Sequence, residues 1–115
     1  EIIFEEVFFV SLEVYTQYNQ EKNEWEGHVE GGIDIYTAGK LKETLNKILD
    51  EKNVNLRVDL KELNYIDSTG LGVFIGVLRR LKEKGNHLIM LNTKSNIRKL
   101  LNITGLDKIF IVEGE

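Results

Sequence analysis

The run Asp67-Ser68-Thr69-Gly70-Leu71-Gly72 sets two neighbouring hydroxyls between a carboxylate and a Gly-x-Gly stretch. Such hydroxyls can cap a helix or accept a phosphoryl group, and the flanking sequence says where they stand. Leu56-Arg57-Val58-Asp59-Leu60 alternates apolar and polar residues with the period of a half-buried strand, and Leu63, Tyr65 and Ile66 carry apolar character up to Asp67. Downstream, Leu71, Phe74, Ile75, Leu78 and Leu81 recur at helical spacing. The chain therefore turns from extended to helical between Ile66 and Leu71, with Ser68 or Asp67 as the N-cap. A hydroxyl there sits beside free N–H groups and the positive end of a helix. A phosphoserine adds roughly 1.5 to 2 negative charges, and a helix N-terminus stabilises an anion by ~0.3 to 1 kcal/mol. Asp67 opposes that gain by repulsion, so modification should change the surface sharply and the fold little. A Ser/Thr cap and nothing more is the plainer reading.

Gly70, Gly72 and Gly76 extend the site along the helix. At about 100° per residue, the apolar residues cluster on one side and Thr69, Gly72, Val73, Gly76 and Arg80 point the other way. Each glycine inside a helix costs ~0.8 to 1 kcal/mol relative to alanine, although solvent would have accepted Glu or Lys. A bare, small-residue face suits a partner lying close against it, or a neighbouring element of the same domain.

The rest of the chain must hold that helix. With 115 residues and 42% hydrophobic content, residues 1–115 are expected to form a single domain around one core, without metals or disulfides. The absence of cysteine removes a disulfide scaffold, a thiol catalyst and a zinc cluster from consideration. A net charge of −4 and a pI near 5.3 argue against direct contact with nucleic acid. Without a transmembrane-length apolar run or a signal-peptide pattern, no membrane association and a cytoplasmic location are expected. Phe8 to Tyr18 reads as a strand with Phe8, Val10, Leu12 and Val14 on one face; Asn19 to Glu24 is a turn, and Trp25 to Ile33 pairs back as a hairpin. Ala38, Leu41, Leu45, Ile48 and Leu49 form the stripe of a first helix capped near Asp34 or Thr37. The second helix ends at Gly85-Asn86, His87 to Asn92 is a short strand, and Ile97, Leu100 and Leu101 mark a third helix entered through Ser95. Gly105 interrupts it before a Leu106 to Phe110 segment and a frayed tail. This order gives an α/β domain with a mixed sheet of four to five strands and helices packed against it. Residues 1–11 are an N-terminal extension or an edge strand.

Asp67-Ser68-Thr69-Gly70-Leu71-Gly72-Val73-Phe74-Ile75-Gly76 resembles the signature of bacterial anti-sigma factor antagonists, the phosphorylatable members of the STAS domain superfamily. Gly32-Ile33-Asp34-Ile35-Tyr36-Thr37-Ala38 is similar to their segment before the first helix, and Ile103-Thr104-Gly105-Leu106-Asp107-Lys108-Ile109 to their C-terminal stretch. The likeness covers about residues 12 to 112. It implies a partner switch in which the unphosphorylated domain binds an anti-sigma factor, itself an ATP-using serine kinase, and frees a sigma factor. Phosphorylation ends the binding and a protein phosphatase restores it. By motif position Ser68 is the implied phosphoacceptor and Asp34 the aspartate near the docking surface. The partner-binding residues are then Asp34, Tyr36, Asp67, Thr69, Gly70, Gly72, Val73 and Gly76. Two departures from the pattern, Gly39 where relatives often carry proline and Gly31-Gly32 in place of a glycine followed by an acid, are expected to loosen the Asp34 loop.

Other readings are weaker or less specific. Thr69 is the rival acceptor, disfavoured by its β-branch and inner position. Tyr36 and Tyr65 pack or line the docking surface, and Trp25 packs in the core or on the sheet. An enzyme is disfavoured: Gly70 to Gly76 lacks the Lys-Ser/Thr ending of a P-loop, Asp67-Ser68 forms no nucleophile elbow, and neither His28 nor His87 has triad or metal neighbours. No cofactor is expected. A STAS scaffold that docks a partner without phosphorylation is the alternative function.

Overall fold

The structure, a computed structural model, describes residues 11–114. Strands β1 (Leu12–Asn19) and β2 (Glu24–Ile33) form the expected antiparallel hairpin. Helix α1 (Ala38–Glu51) leads to the short strands β3 (Leu56–Asp59) and β4 (Leu63–Ile66), then to helix α2 (Ser68–Lys82). Strand β5 (Leu88–Leu91), helix α3 (Ser95–Thr104), a 3₁₀ turn at Leu106–Lys108 and strand β6 (Ile111–Glu113) complete the described chain. Phe8 and Val10, assigned above to the first strand, lie outside the described residues.

The sheet has six strands, in the order β1-β2-β3-β5-β6, with β4 also paired to β2. Every pairing after the hairpin is parallel, as helical crossovers require. Two features exceed the expected four to five strands. A turn closed by the Leu63 amide on the Leu60 carbonyl, at 3.0 Å, divides the extended run before Asp67 into β3 and β4. The tail beyond Phe110 is not frayed but pairs with β5 as β6.

Strand β2 pairs first with β3 over Trp25–His28 and then with β4 over Gly31–Ile33, with a register shift between Gly31 and Gly32. Gly31 takes φ +104° there, and a Cβ on it would lie 2.0 Å from the Ser11 carbonyl oxygen. Gly31 is thus demanded by the bulge that redirects β2, and is not a source of looseness. This redirection sets the ends of β2 and β4 side by side.

All three helices share one core with one face of the sheet. Alternate strand residues Val29, Ile33, Leu56, Val58, Leu88 and Met90 meet the stripes of α1, α2 and α3 in a single buried cluster. The intervening residues Glu26, His28, Glu30, Arg57 and Asp59 face the other way and are half-exposed. On that outer face Arg57 donates from Nε to Glu24 at 2.8 Å and from Nη1 to Glu113 at 3.3 Å, tying β2, β3 and β6 together. The hydrogen bond that Arg57 donates to Glu24 holds its guanidinium above its ordinary pKa. The α1 stripe is buried as expected at Ala38, Leu41, Leu45, Ile48 and Leu49. In α2, Val77 is buried and Ile75 only half-buried, so the inward face is rotated slightly from that expected.

Candidate functional site at the paired strand ends

Parallel pairing of Ile33 with Ile66 delivers the next residues of both strands, Asp34 and Asp67, to one end of the sheet. The Asp67 amide donates to the Ile33 carbonyl at 3.1 Å, joining the two turns directly. Asp67 is the N-cap of α2, and Ser68 is the first helical residue. The Asp67 backbone is extended, and its Oδ1 accepts from the amides of Thr69 at 2.9 Å and Gly70 at 3.1 Å. Ser68 is exposed, and among the described residues its hydroxyl has no hydrogen-bond partner within the chain. Thr69 is exposed as well, so burial does not separate the two candidate acceptors.

Asp34 organises the adjacent turn. Its Oδ1 accepts from the amides of Tyr36 at 2.8 Å and Thr37 at 3.1 Å. The Thr37 hydroxyl donates to the Gly32 carbonyl and accepts from the Asp34 amide, both at 2.9 Å. The Ala38 amide returns to the Asp34 carbonyl at 2.8 Å, starting α1. Thr37 occupies the cap position, but its side chain is spent on this turn and not on the helix. The closed turn holds Ile35 and Tyr36 outward, at 69% and 90% exposure. Tyr65, in β4, is half-exposed.

Between α1 and α2 runs a groove whose walls include Ile35, Gly39, Thr69, Gly72, Val73 and Gly76. A Cβ built on Gly39, Gly72 or Gly76 meets nothing within 4 Å. Their smallness therefore opens surface and accommodates no neighbour of the same chain. Gly70 differs: it is buried, and its Cβ would lie 2.6 Å from Ile33 Cγ2 and 2.7 Å from Ile66 Cγ1. Gly70 serves the packing of α2 onto the sheet and stands apart from the surface group. Arg80, expected to point outward, instead donates to the Asn46 carbonyl at 3.0 Å and pairs with Asp50, bridging α2 to α1 at the far end of the groove.

Ile35, Gly39 and Lys42 also line the groove, and the sequence reading named none of them as contacts. For Gly39 and Lys42 the signal available was their spacing of three along one flank of the buried stripe of α1; Ile35 precedes the helix and carries no such signal. Among the described residues no three His, Cys, Asp or Glu side chains are grouped to hold a metal, and no helix is long and apolar enough to cross a membrane.

Residues 26–114, from within β2 to one residue past β6, match the STAS domain. The chain belongs to the STAS domain family. Its relatives within that family include anti-sigma factor antagonists. An anti-sigma-B factor antagonist of Listeria monocytogenes is 42% identical over 90 residues, covering 76% of this chain and 79% of the relative. The anti-sigma-B factor antagonist of Bacillus subtilis is 35% identical over 104 residues, covering 90% and 94%. Among solved structures, an anti-sigma factor antagonist from Mycobacterium paratuberculosis shares the STAS fold with a TM-score of 0.76 at 24% identity, over 89% of this chain and 85% of that one. The matched span includes both the Asp34 turn and Ser68.

Proposed function

We propose that this STAS domain is an anti-sigma factor antagonist that acts as a phosphorylation-controlled partner switch. In its unmodified state it binds an anti-sigma factor that is also a serine kinase, and a sigma factor is released. The kinase transfers a phosphoryl group from ATP to Ser68, the complex separates, and a protein phosphatase resets the domain. Asp34, Tyr36, Asp67, Thr69, Gly72, Val73 and Gly76 supply the contact surface, and all of these steps belong in the cytoplasm. The chemistry resides in the partners, and this chain contributes a surface and an acceptor.

The observation that carries the reading is the place of Ser68: an exposed hydroxyl on the first residue of α2, next in the chain to Thr69, which lines a groove where a Cβ on Gly39, Gly72 or Gly76 would meet nothing within 4 Å. A dianion at the rim of a desolvated contact stays unpaired unless the partner offers cations, and a hundredfold loss of affinity needs only ~2.8 kcal/mol. No rearrangement of the fold is needed.

The test is binding of the purified chain to its cognate anti-sigma factor kinase, with and without ATP. Ser68→Ala should bind and gain no phosphate, while Ser68→Asp should bind at least about a hundredfold more weakly. Undiminished affinity in the Asp variant would refute the switch. Retained binding with no phosphate gained on incubation with kinase and ATP would favour a scaffold instead.

A further inference from the structure

Helix α2 has a second flank, across its buried face from Val73 and Arg80. There Ile75, Leu78 and Ile109 form the apolar floor of an open groove between the helix and the 3₁₀ turn. Ile109 is held at the surface with 46% of its area exposed. Arg79 and Lys82 of α2 and Lys108 of the turn surround this floor, with Glu83 as the one carboxylate in the lining. The lining thus sets three cations from two elements against a single carboxylate around an apolar floor. The helix C-terminal dipole favours cations in the last turn and accounts for Arg79 and Lys82. It does not account for Lys108, which belongs to another element, nor for the apolar floor. In a chain of net charge −4 the groove is a local reversal of sign.

We propose that this groove docks an acidic amphipathic segment of a partner protein, its apolar side chains on Ile75, Leu78 and Ile109 and its carboxylates at Arg79, Lys82 and Lys108. Charge selects the occupant, because a basic segment would meet three cations offset by one carboxylate at the moment of desolvation. Ile75 to Lys82 spans about 10 Å along the helix axis, room for two turns of a docked helix with anchors at i, i+4 and i+7. Ser68 lies roughly 10 to 20 Å away along the same axis, at or beyond a Debye length of ~8 to 10 Å. The groove therefore engages its partner in both states of the switch, and its occupancy is independent of the role assigned to Ser68.

The experiment is a titration of the isotope-labelled full chain, followed by amide chemical shifts, with a synthetic helix-forming peptide of roughly four turns. Its leucines repeat at i, i+4 and i+7, and glutamates flank them. Shifts should be confined to residues 75–83 and 106–110 and should shrink as salt is raised. Affinity should fall at least about tenfold in R79E/K82E, and should also fall in I109S, which preserves every charge. Ser68→Asp should bind the peptide as the wild type does, so failure of the kinase-binding reading leaves this result untouched. A lysine-flanked peptide of the same apolar pattern should shift nothing. Equal binding by the lysine peptide, shifts centred on the α1–α2 groove, or no shifts at about millimolar peptide would each overturn the proposal.

Discussion

Gly70 and Gly76 stand less than two turns apart on α2, and the same residue type answers opposite demands. At position 70 a methyl group would be driven into Ile33 and Ile66, whereas at position 76 it would enter open space. Gly70→Ala should therefore lower stability by about 1 to 3 kcal/mol through overpacking, less what helix propensity returns. Gly76→Ala should raise stability by up to ~1 kcal/mol and weaken the kinase complex. Urea midpoints at constant slope, read beside the binding assay, separate the two effects; a stabilised Gly70→Ala would mean that the close packing relaxes freely. A helical projection placed Gly72 and Gly76 on the outer face, where they are. It could not show the confinement of Gly70, because the walls belong to two strands distant in sequence. Ser68 and Thr69 are alike exposed, and phosphopeptide mapping after kinase treatment should place the phosphate on Ser68 alone.

The elements that present the site are fixed by two carboxylates with similar local duties. Asp67 caps α2 through the Thr69 and Gly70 amides, so Asp67→Ala should cost about 1 kcal/mol, within a range of roughly 0.5 to 2. Asp34 ties its turn through the Tyr36 and Thr37 amides, and an asparagine can accept the same two bonds. Asp34→Asn should keep the melting temperature close to wild type, while Asp34→Ala should lose about 0.5 to 1.5 kcal/mol. If the Asn variant binds the kinase poorly while folding normally, the charge of Asp34 is itself a contact; if only the Ala variant binds poorly, Asp34 is a positioning residue. Elements with long periodic stripes were legible from sequence, and α1 was read residue for residue. The missed strands β4 and β6 have four and three residues. Asn64 and Tyr65 are both exposed, which breaks alternation in β4, and β6 is defined by a partner that no local pattern reveals. Sequence alone does not separate Asp67 from Ser68 as the cap of α2, because both types cap well, and only backbone geometry decides.

On the scale of the whole molecule, the switch surface occupies one end of the sheet and the tryptophan the other. Trp25, the sole tryptophan of the chain, is the second residue of β2, while Ile33 ends it beside Asp34. Eight residues at about 3.3 Å each put them roughly 26 Å apart. Trp25 is buried, donates from Nε1 to the Lys52 carbonyl at 2.9 Å, and meets the Tyr18 ring edge-on at 5.3 Å between centroids. Its emission thus reports the integrity of the core at the end remote from Ser68. If phosphorylation acts by placing charge at a contact, the emission maximum of the phosphorylated chain should equal that of the unmodified one, and both should red-shift only in the cooperative urea transition. Amide shifts on phosphorylation should likewise stay within residues 34–37 and 66–73. A native-state change in Trp25 emission would require a relay along β2 through its pairing with β3 and β4, making the switch conformational. The shared core argues for the local outcome, since one cluster of side chains from all three helices and one sheet face resists a second arrangement more strongly than a single rim charge can impose one.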